Sequence, residues 1–189
     1  MRIVAGAWAG RDLVSPGGRV RPTAEDLRDA WMTWLKEELK DARVLDLFAG
    51  TGALGLEALS RGAAKADFVE NGSSALHALK SNVTRLRARD RTRIFKKDVF
   101  TFLAGLSADS YDLVLADPPY TSTLADRLVA LWMERPFGRV LSIEHSADRT
   151  LPGKGSRRVR SESAVTTYRV RKPGKNRSGG RPKPPRNPE

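Results

Sequence analysis

An apolar segment followed by closely spaced glycines is the feature that most constrains the fold of this chain. The segment VLDLFAGTGALGLEAL runs from Val44 to Leu59, and its glycines at 50, 52 and 55 have the spacing G-x-G-x-x-G. After a strand and at the start of a helix, this spacing is typical of a turn that approaches a dinucleotide or a related ligand. The same glycines are also compatible with a turn that only lets a helix pack closely.

Short apolar runs alternate with helical patterns through the middle of the chain. The predicted strands are Arg43–Phe48, Ala66–Glu70, Arg93–Lys97, Tyr111–Ala116 and Gly138–Glu144, and the predicted helices are Gly52–Arg61, Gly72–Arg87, Phe100–Leu106 and Leu124–Met133. This alternation predicts an α/β fold with a doubly wound parallel sheet. Two further strands, Arg157–Ser161 and Val165–Arg171, fit an antiparallel hairpin at one edge of the sheet.

Both ends of the chain differ from this pattern. Residues 1–20 are expected to form a small β-hairpin extension with strands at Arg2–Ala5 and Arg11–Ser15. Residues 21–171 are expected to form the main domain, and 172–189 a disordered basic tail. A helix is expected to begin after Thr23, and its tryptophans, Trp31 and Trp34, are interpreted as core residues because they recur at helical spacing.

The charge of the chain favours a polyanionic partner. Among its 189 residues, 34 are Lys or Arg and 22 are Asp or Glu, which gives a formal net charge of +12. Nucleic acid is the first candidate for such a partner, and a basic surface that only aids solubility is the alternative. The absence of cysteine excludes disulfide bonds and a cysteine nucleophile, and the absence of a membrane-spanning apolar run favours a cytoplasmic protein.

Asp46, four residues before the first glycine, indicates the charge of the ligand. Its carboxylate would repel a pyrophosphate in the glycine turn and attract a cation. S-adenosylmethionine carries a sulfonium and an ammonium group and no phosphate, so the sequence favours this cofactor over NAD. Alternatively, or in addition, Asp46 holds the loop by local hydrogen bonds.

Two more acids follow predicted strands on the same side. Glu70 ends the second strand, where a carboxylate can accept hydrogen bonds from ribose hydroxyls. Asp98 follows the third strand and is placed to accept from an adenine amino group, with the backbone N–H of Val99 beside it; the alternative is that Asp98 only caps a helix. The candidate cofactor-binding residues are Asp46, Phe48, Gly50, Thr51, Gly52, Glu70, Asn71, Asp98 and Val99.

The fourth strand ends in Asp117-Pro118-Pro119-Tyr120, which indicates the chemistry. Two prolines stiffen the backbone and remove two donors, so the Asp117 carboxylate and the Pro118 carbonyl remain as acceptors. A rigid pair of acceptors suits an exocyclic amino group of a nucleobase, and Tyr120 would stack on that base once it has left any helix. The reaction then depends on positioning and electrostatics, with no need for a metal.

Together these motifs resemble those of class I methyltransferases that act on amino groups. MRIVAGAWAGRDLVSP at the start, V-R-P-T at 20–23, L-R-D-A at 27–30 and GALGLEALSRGA at 52–63 are similar to the RsmD family of bacterial guanine-N2 methyltransferases of small-subunit ribosomal RNA. The resemblance extends from Met1 to about Arg171.

The resemblance implies a seven-stranded sheet, S-adenosyl-L-methionine as cofactor and the exocyclic N2 of a guanine in 16S rRNA as acceptor. It also implies RNA contacts at Arg11, Arg21, Thr23 and Arg28, with catalysis by Asp117, Pro118 and Tyr120. A monomer acting on a small-subunit ribosomal particle is expected. Two alternatives remain: an N6-adenine methyltransferase of DNA or RNA, and an inactive nucleic-acid-binding module with the same fold.

Overall fold

The structure, a computed structural model, describes residues 1–15, 25–120 and 123–170. Within these ranges the helices are α1 (Glu25–Trp34), α2 (Lys36–Leu39), α3 (Ala53–Ser60), α4 (Ser73–Arg85), α5 (Val99–Ala104) and α6 (Leu124–Glu134). The strands are β1 (Arg43–Leu47), β2 (Lys65–Glu70), β3 (Thr92–Lys96), β4 (Tyr111–Ala116), β5 (Gly138–Ser146), β6 (Ser156–Arg160) and β7 (Ser163–Arg169). None of these helices is both long enough and apolar enough to cross a membrane.

These strands form one sheet in the order β3-β2-β1-β4-β5-β7-β6. The first five are parallel, and β7 pairs antiparallel with both β5 and β6. The predicted doubly wound α/β fold and the antiparallel hairpin at its edge are therefore confirmed. The buried strands read as nearly continuous apolar runs because helices cover both faces of the sheet.

Two apolar layers enclose the sheet. One contains residues of α1, α3 and α4, including the fully buried Trp31, together with Ile3 and Leu13 from the N-terminal segment. The other contains residues of α5 and α6. Trp31 is thus a core residue, as its spacing predicts, and its indole N–H donates to the Ser142 hydroxyl at 2.7 Å.

The N-terminal hairpin is shorter than predicted. Its pairing consists of one bridge between Arg2 and Asp12, with backbone hydrogen bonds such as that from the Ile3 N–H to the Arg11 carbonyl at 2.9 Å. Side-chain contacts to the main domain, rather than a long ladder, hold this hairpin. The predicted helix start at Thr23 and the basic tail lie outside the described residues.

The register of the parallel strands determines which side chains meet at the carboxyl edge of the sheet. Leu47 at the end of β1 lies opposite Val69 of β2 and Ala116 of β4. The residues that follow these positions therefore emerge side by side. The strand order reverses between β1 and β4, which is where ligands bind in open α/β sheets.

Candidate active site at the carboxyl edge

The glycine turn after β1 combines an open position with two tightly packed ones. Phe48, Gly50 and Gly52 have φ angles of 58°, 55° and 80°. A Cβ atom on Gly50 would meet nothing nearer than the Phe48 carbonyl oxygen at 4.0 Å, so a ligand can approach this backbone. A Cβ on Gly52 would lie 2.3 Å from Leu79 Cδ1, and one on Gly55 would lie 2.5 Å from Phe68 Cε1. The packing interpretation is therefore confirmed for Gly52 and Gly55, and the approach of a ligand at Gly50 stays a prediction.

Glu70 ties the glycine turn to the turn after β2. Its Oε2 accepts from the Gly50 N–H at 2.8 Å, and its Oε1 accepts from the N–H groups of Asn71 and Gly72 at 2.9 and 2.7 Å. The carboxylate lies beside the open face of Gly50, where the sequence predicts contact with ribose. Asn71 is exposed next to it, and Thr51 is buried with its carbonyl accepting from Asn82 Nδ2 at 3.0 Å.

Asp46 is buried beneath the turn. Its Oδ2 accepts from the Gly55 N–H at 2.9 Å, as expected for a residue that holds the loop. Its Oδ1 is buried and has no hydrogen-bond partner among the residues that the structure describes. Burial raises the pKa of the Asp46 carboxyl well above its ordinary value, and the negative charges of Asp117 and Glu70 raise it further.

Asp98 caps α5. Its Oδ1 accepts from the backbone N–H of Thr101 at 2.9 Å and from the Thr101 hydroxyl at 3.1 Å. The backbone hydrogen bond lowers the pKa of this exposed carboxyl. The capping interpretation is therefore confirmed, and a contact to adenine remains a prediction. Val99, the next residue, is buried.

The segment Asp117–Tyr120 leaves the sheet directly beside the glycine turn. Asp117 is half-buried and Pro118 is buried. The Tyr120 hydroxyl donates to Oε1 of Glu144 on β5 and lies 2.8 Å from the Ser163 hydroxyl oxygen on β7. Burial, followed by the hydrogen bond to Glu144, raises the pKa of Tyr120, which keeps the phenol protonated. The tyrosine is thus anchored by its hydroxyl end.

Glu144, Ser163 and Arg149 are missed by the sequence reasoning. Glu144 follows the position paired with Ala116, so the register brings it next to Asp117. Arg149 donates to the Tyr120 carbonyl at 3.3 Å and pairs with Asp126 at the start of α6. The sequence offers one signal for Glu144, because this acid ends a predicted strand that contains the apolar residues Val140, Leu141 and Ile143.

The four residues predicted to contact RNA differ in where they lie in the structure. Arg11 is exposed on the N-terminal hairpin, and Arg21 and Thr23 lie outside the described residues. Arg28 is fully buried, 3.4 Å from Oε2 of the equally buried Glu57, and it donates to the Arg2 carbonyl. A guanidinium with no exposed surface cannot contact a phosphate, so the position of Arg28 contradicts that role. The sequence misses this burial because its ion-pair partner lies in another helix.

Glu57 is the acceptor that fixes the hairpin to α3. Its carboxylate oxygens accept from the N–H groups of Val4 and Ala5 at 2.8 and 3.0 Å. Arg61, one turn later, donates to it at 2.8 Å. The buried charge is therefore matched by several donors, which makes its burial tolerable.

The carboxyl edge has the properties that a cationic nucleoside ligand requires. It offers an open backbone at Gly50, a buried carboxylate oxygen on Asp46 without a partner in the described chain, and three neighbouring acids in Asp46, Glu70 and Asp117. This negative charge disfavours a pyrophosphate and favours a sulfonium or an ammonium group. The residues present therefore fit S-adenosylmethionine.

Comparison with known proteins agrees with this assignment. Residues 1–163 match the family model described as Conserved hypothetical protein 95. The Ribosomal RNA small subunit methyltransferase D of Escherichia coli K12 is 38% identical over 134 residues, which cover 69% of this chain and 66% of that protein. The Haemophilus influenzae protein of the same name is 29% identical over 178 residues, which cover 90% of this chain and 92% of that protein.

A solved structure gives the same result for the fold. The structure of yhhF from Escherichia coli, described as a candidate methyltransferase, superposes with a TM-score of 0.77 at 31% identity, covering 89% of this chain and 97% of that one. The chain therefore belongs to the Conserved hypothetical protein 95 family, which is the RsmD family of S-adenosylmethionine-dependent ribosomal RNA methyltransferases.

Proposed function

We propose that this protein transfers a methyl group from S-adenosylmethionine to the exocyclic N2 of a guanine in 16S rRNA. The observation that carries the proposal is the position of the Asp117–Tyr120 segment: Ala116 lies opposite Leu47 in the sheet, so this segment leaves the sheet beside the glycine turn. The proposed acceptors of the amino group would thus adjoin the proposed binding site of the cofactor. Membership in the RsmD family supports ribosomal RNA as the substrate.

The protein would contribute hydrogen-bond acceptors held on a rigid stretch of backbone to this reaction. S-adenosylmethionine, when bound, supplies a methyl group activated by its sulfonium. The Asp117 carboxylate and the Pro118 carbonyl would each accept one N–H of the guanine amino group. Because two prolines fix the backbone, these acceptors would hold the nitrogen in line with the methyl carbon and increase its electron density.

Tyr120 would place the base. Its ring would stack on the flipped guanine, while Glu144 and Ser163 hold its hydroxyl and Arg149 holds its carbonyl. The proposed role of the ring therefore depends on partners from two other strands.

The proposed cofactor contacts come from the three strand ends. Gly50 and Gly52 would let the cofactor approach the backbone, Asp46 would favour its positive charge, and Glu70 would accept from its ribose. The remaining predicted contacts are Phe48, Thr51, Asn71, Asp98 and Val99.

The proposed substrate context is a small-subunit ribosomal particle in the cytoplasm, with the protein acting as a monomer. Arg11 on the hairpin, with Arg21 and Thr23, would contact RNA, whereas Arg28 would not, because it is buried.

Methyl transfer to small subunits from cells lacking the protein tests the proposal. We compare wild type with Asp117→Asn, and use Asp109→Asn as the control, because Asp109 is exposed and precedes the same strand at its other end. We expect N2-methylguanosine from wild type and from the control. Asp117→Asn should lose activity by about 10²–10³-fold and keep measurable cofactor binding.

Other products would identify a different function. N6-methyladenosine would keep the mechanism and overturn the guanine assignment. Cofactor binding without methyl transfer would reject the small subunit as substrate. No cofactor binding by wild type would favour an inactive binding module.

A further inference from the structure

An arginine-rich segment joins α4 to β3, and the candidate active site does not use it. In the sequence RLRARDRTR, residues 85–93, every second residue is an arginine and Asp90 is the one acid. The structure ends α4 at Arg85, forms a short 3-10 helix at Arg89–Arg91 and begins β3 at Thr92. We refer to residues 85–93 as the arginine connection.

The backbone of the arginine connection directs alternate side chains inward and outward. Leu86 and Ala88 are buried, with 3% and 1% of their surface exposed, whereas Arg85, Arg87 and Arg89 are exposed. Arg87 has a φ of 54°, a conformation that favours glycine at the end of a helix. The Ala88 N–H closes the helix end by donating to the Val83 carbonyl at 2.9 Å. The exposed arginines therefore project from an ordered turn.

A cavity with a volume of about 500 Å³ adjoins the arginine connection at the amino edge of the sheet. Its ionisable lining residues are the cations Arg43, Lys65, Arg91 and Arg93 and the acids Asp67 and Asp90, besides Tyr111. The Asp67 carboxylate already accepts from Arg93 Nε at 2.9 Å and from the Tyr111 hydroxyl at 2.7 Å. Positive charge is therefore in excess in this cavity.

Arg91 links the cavity to the N-terminal hairpin. Its guanidinium donates to the Ala63 and Leu59 carbonyls at 2.7 and 3.1 Å, and its central carbon lies 5.5 Å from the ring centroid of Trp8. Arg91 therefore places Trp8 of the hairpin next to the cavity, and Arg11, an expected RNA contact, follows Trp8 by three residues in the chain.

We propose that the arginine connection and this cavity bind the sugar–phosphate backbone of the RNA substrate at a second point, away from the candidate active site. The choice of RNA as the ligand rests on the proposed function. Guanidinium groups suit phosphates because they donate in a planar fork and remain charged. The two sites lie at opposite ends of the parallel strands, and a five-residue strand such as β3 is about 16 Å long.

This separation sets a minimum length for the RNA substrate. An RNA must extend well beyond the target base to reach both sites. Removing the positive charges of the arginine connection should therefore weaken the binding of a long structured RNA and leave binding of the cofactor unchanged.

RNA binding by the full-length protein tests the proposal. Naked small-subunit rRNA is titrated over a series of salt concentrations with wild type, with R85Q/R87Q/R89Q and with a control, K36Q/K40Q/K154Q. The control removes the same number of positive charges from exposed positions on or after α2 and between β5 and β6. Binding of S-adenosylmethionine by each variant verifies that it is folded.

We expect the arginine variant to lose on the order of tenfold in RNA affinity, and the salt dependence, log K against log[salt], to become shallower by about 2–3. The control should stay within about twofold of wild type. Equal losses in the two variants, or no loss in the arginine variant, would overturn the proposal. If wild type methylates no RNA but the arginine variant still loses affinity, the proposed function fails and the second site stands. If wild type methylates RNA but both variants bind RNA equally well, the proposed function stands and the second site fails.

Discussion

The hydroxyl group of Tyr120 donates a hydrogen bond to the Glu144 carboxylate, joining the segment after β4 to the neighbouring strand β5. Tyr120→Phe keeps the ring and leaves the buried Glu144 without this donor, so we expect kcat/KM for RNA to fall by about tenfold. Tyr120→Ala should fall further because stacking on the base is also lost. Tyr168→Phe is the control, since its hydroxyl donates to the Pro152 carbonyl at 2.8 Å elsewhere. Wild-type kinetics in Tyr120→Ala would contradict the stacking role.

Gly52 and Gly10 have nearly the same backbone conformation, with φ angles of 80° and 79°, in different surroundings. A Cβ on Gly52 would collide with Leu79, whereas one on Gly10 would have nothing within 4 Å. Gly10→Ala should cost about 1–2 kcal/mol of unfolding free energy through backbone strain alone. Gly52→Ala should cost a further 1–3 kcal/mol or so through overpacking, and should weaken cofactor binding. Equal losses in denaturant unfolding would show that packing at Gly52 is unimportant.

Glu57 holds the N-terminal hairpin and the buried Arg28 together. Glu57→Gln removes the charge that Arg28 faces in the core, so we expect a loss of about 3–5 kcal/mol in unfolding free energy. Hydrogen exchange of the backbone N–H groups from Ile3 to Leu13 should become faster. Glu37→Gln, an exposed acid on α2, provides the comparison. The interpretation fails if these two variants unfold at the same denaturant concentration.

Because the pKa of the Asp46 carboxyl is raised, we expect both the stability of the fold and the binding of the cofactor to depend on pH. Its folded-state pKa is raised above the ordinary value of 3.8, so the folded protein holds the proton more tightly than the unfolded chain. Its contribution to stability is therefore complete below pH 3.8 and is lost as pH rises through the folded-state pKa.

Asp46→Asn removes this titration and keeps an oxygen for the Gly55 N–H. In urea unfolding from pH 4 to pH 8, the variant should gain stability relative to wild type as pH rises. Over the same range, binding of S-adenosylmethionine should tighten in wild type, because ionised Asp46 favours a cation, and should change less in the variant. A difference in stability that is constant with pH would be inconsistent with a raised pKa.

The sequence was sufficient to predict the sheet. The bounds of β4, Tyr111–Ala116, agree with the prediction, because this strand is an apolar run that ends at two prolines. The N-terminal hairpin was predicted with longer strands than it has, since its position depends on contacts to α3 rather than on its own pairing.

The sequence constrains the environment of a charged residue less than that of an apolar one, as Arg28 and Asp98 illustrate. Arg28 was predicted to contact RNA and is buried against Glu57, 29 residues along the chain. Asp98 had two interpretations, and the structure confirms the cap on α5. A side chain's charge is visible in the sequence, but its burial and its distant partners are not.

The sequence by itself determined the order of strands and helices, the glycine turn and the stiff Asp117–Tyr120 segment, because apolar periodicity, glycine and proline act locally on the backbone. Only the tertiary structure decided that Tyr120 is anchored by Glu144, that Asp46 is crowded by Asp117 and Glu70, and that Arg28 lies in the core. These relationships arise from strand register and helix packing, which bring together residues that are far apart in the chain.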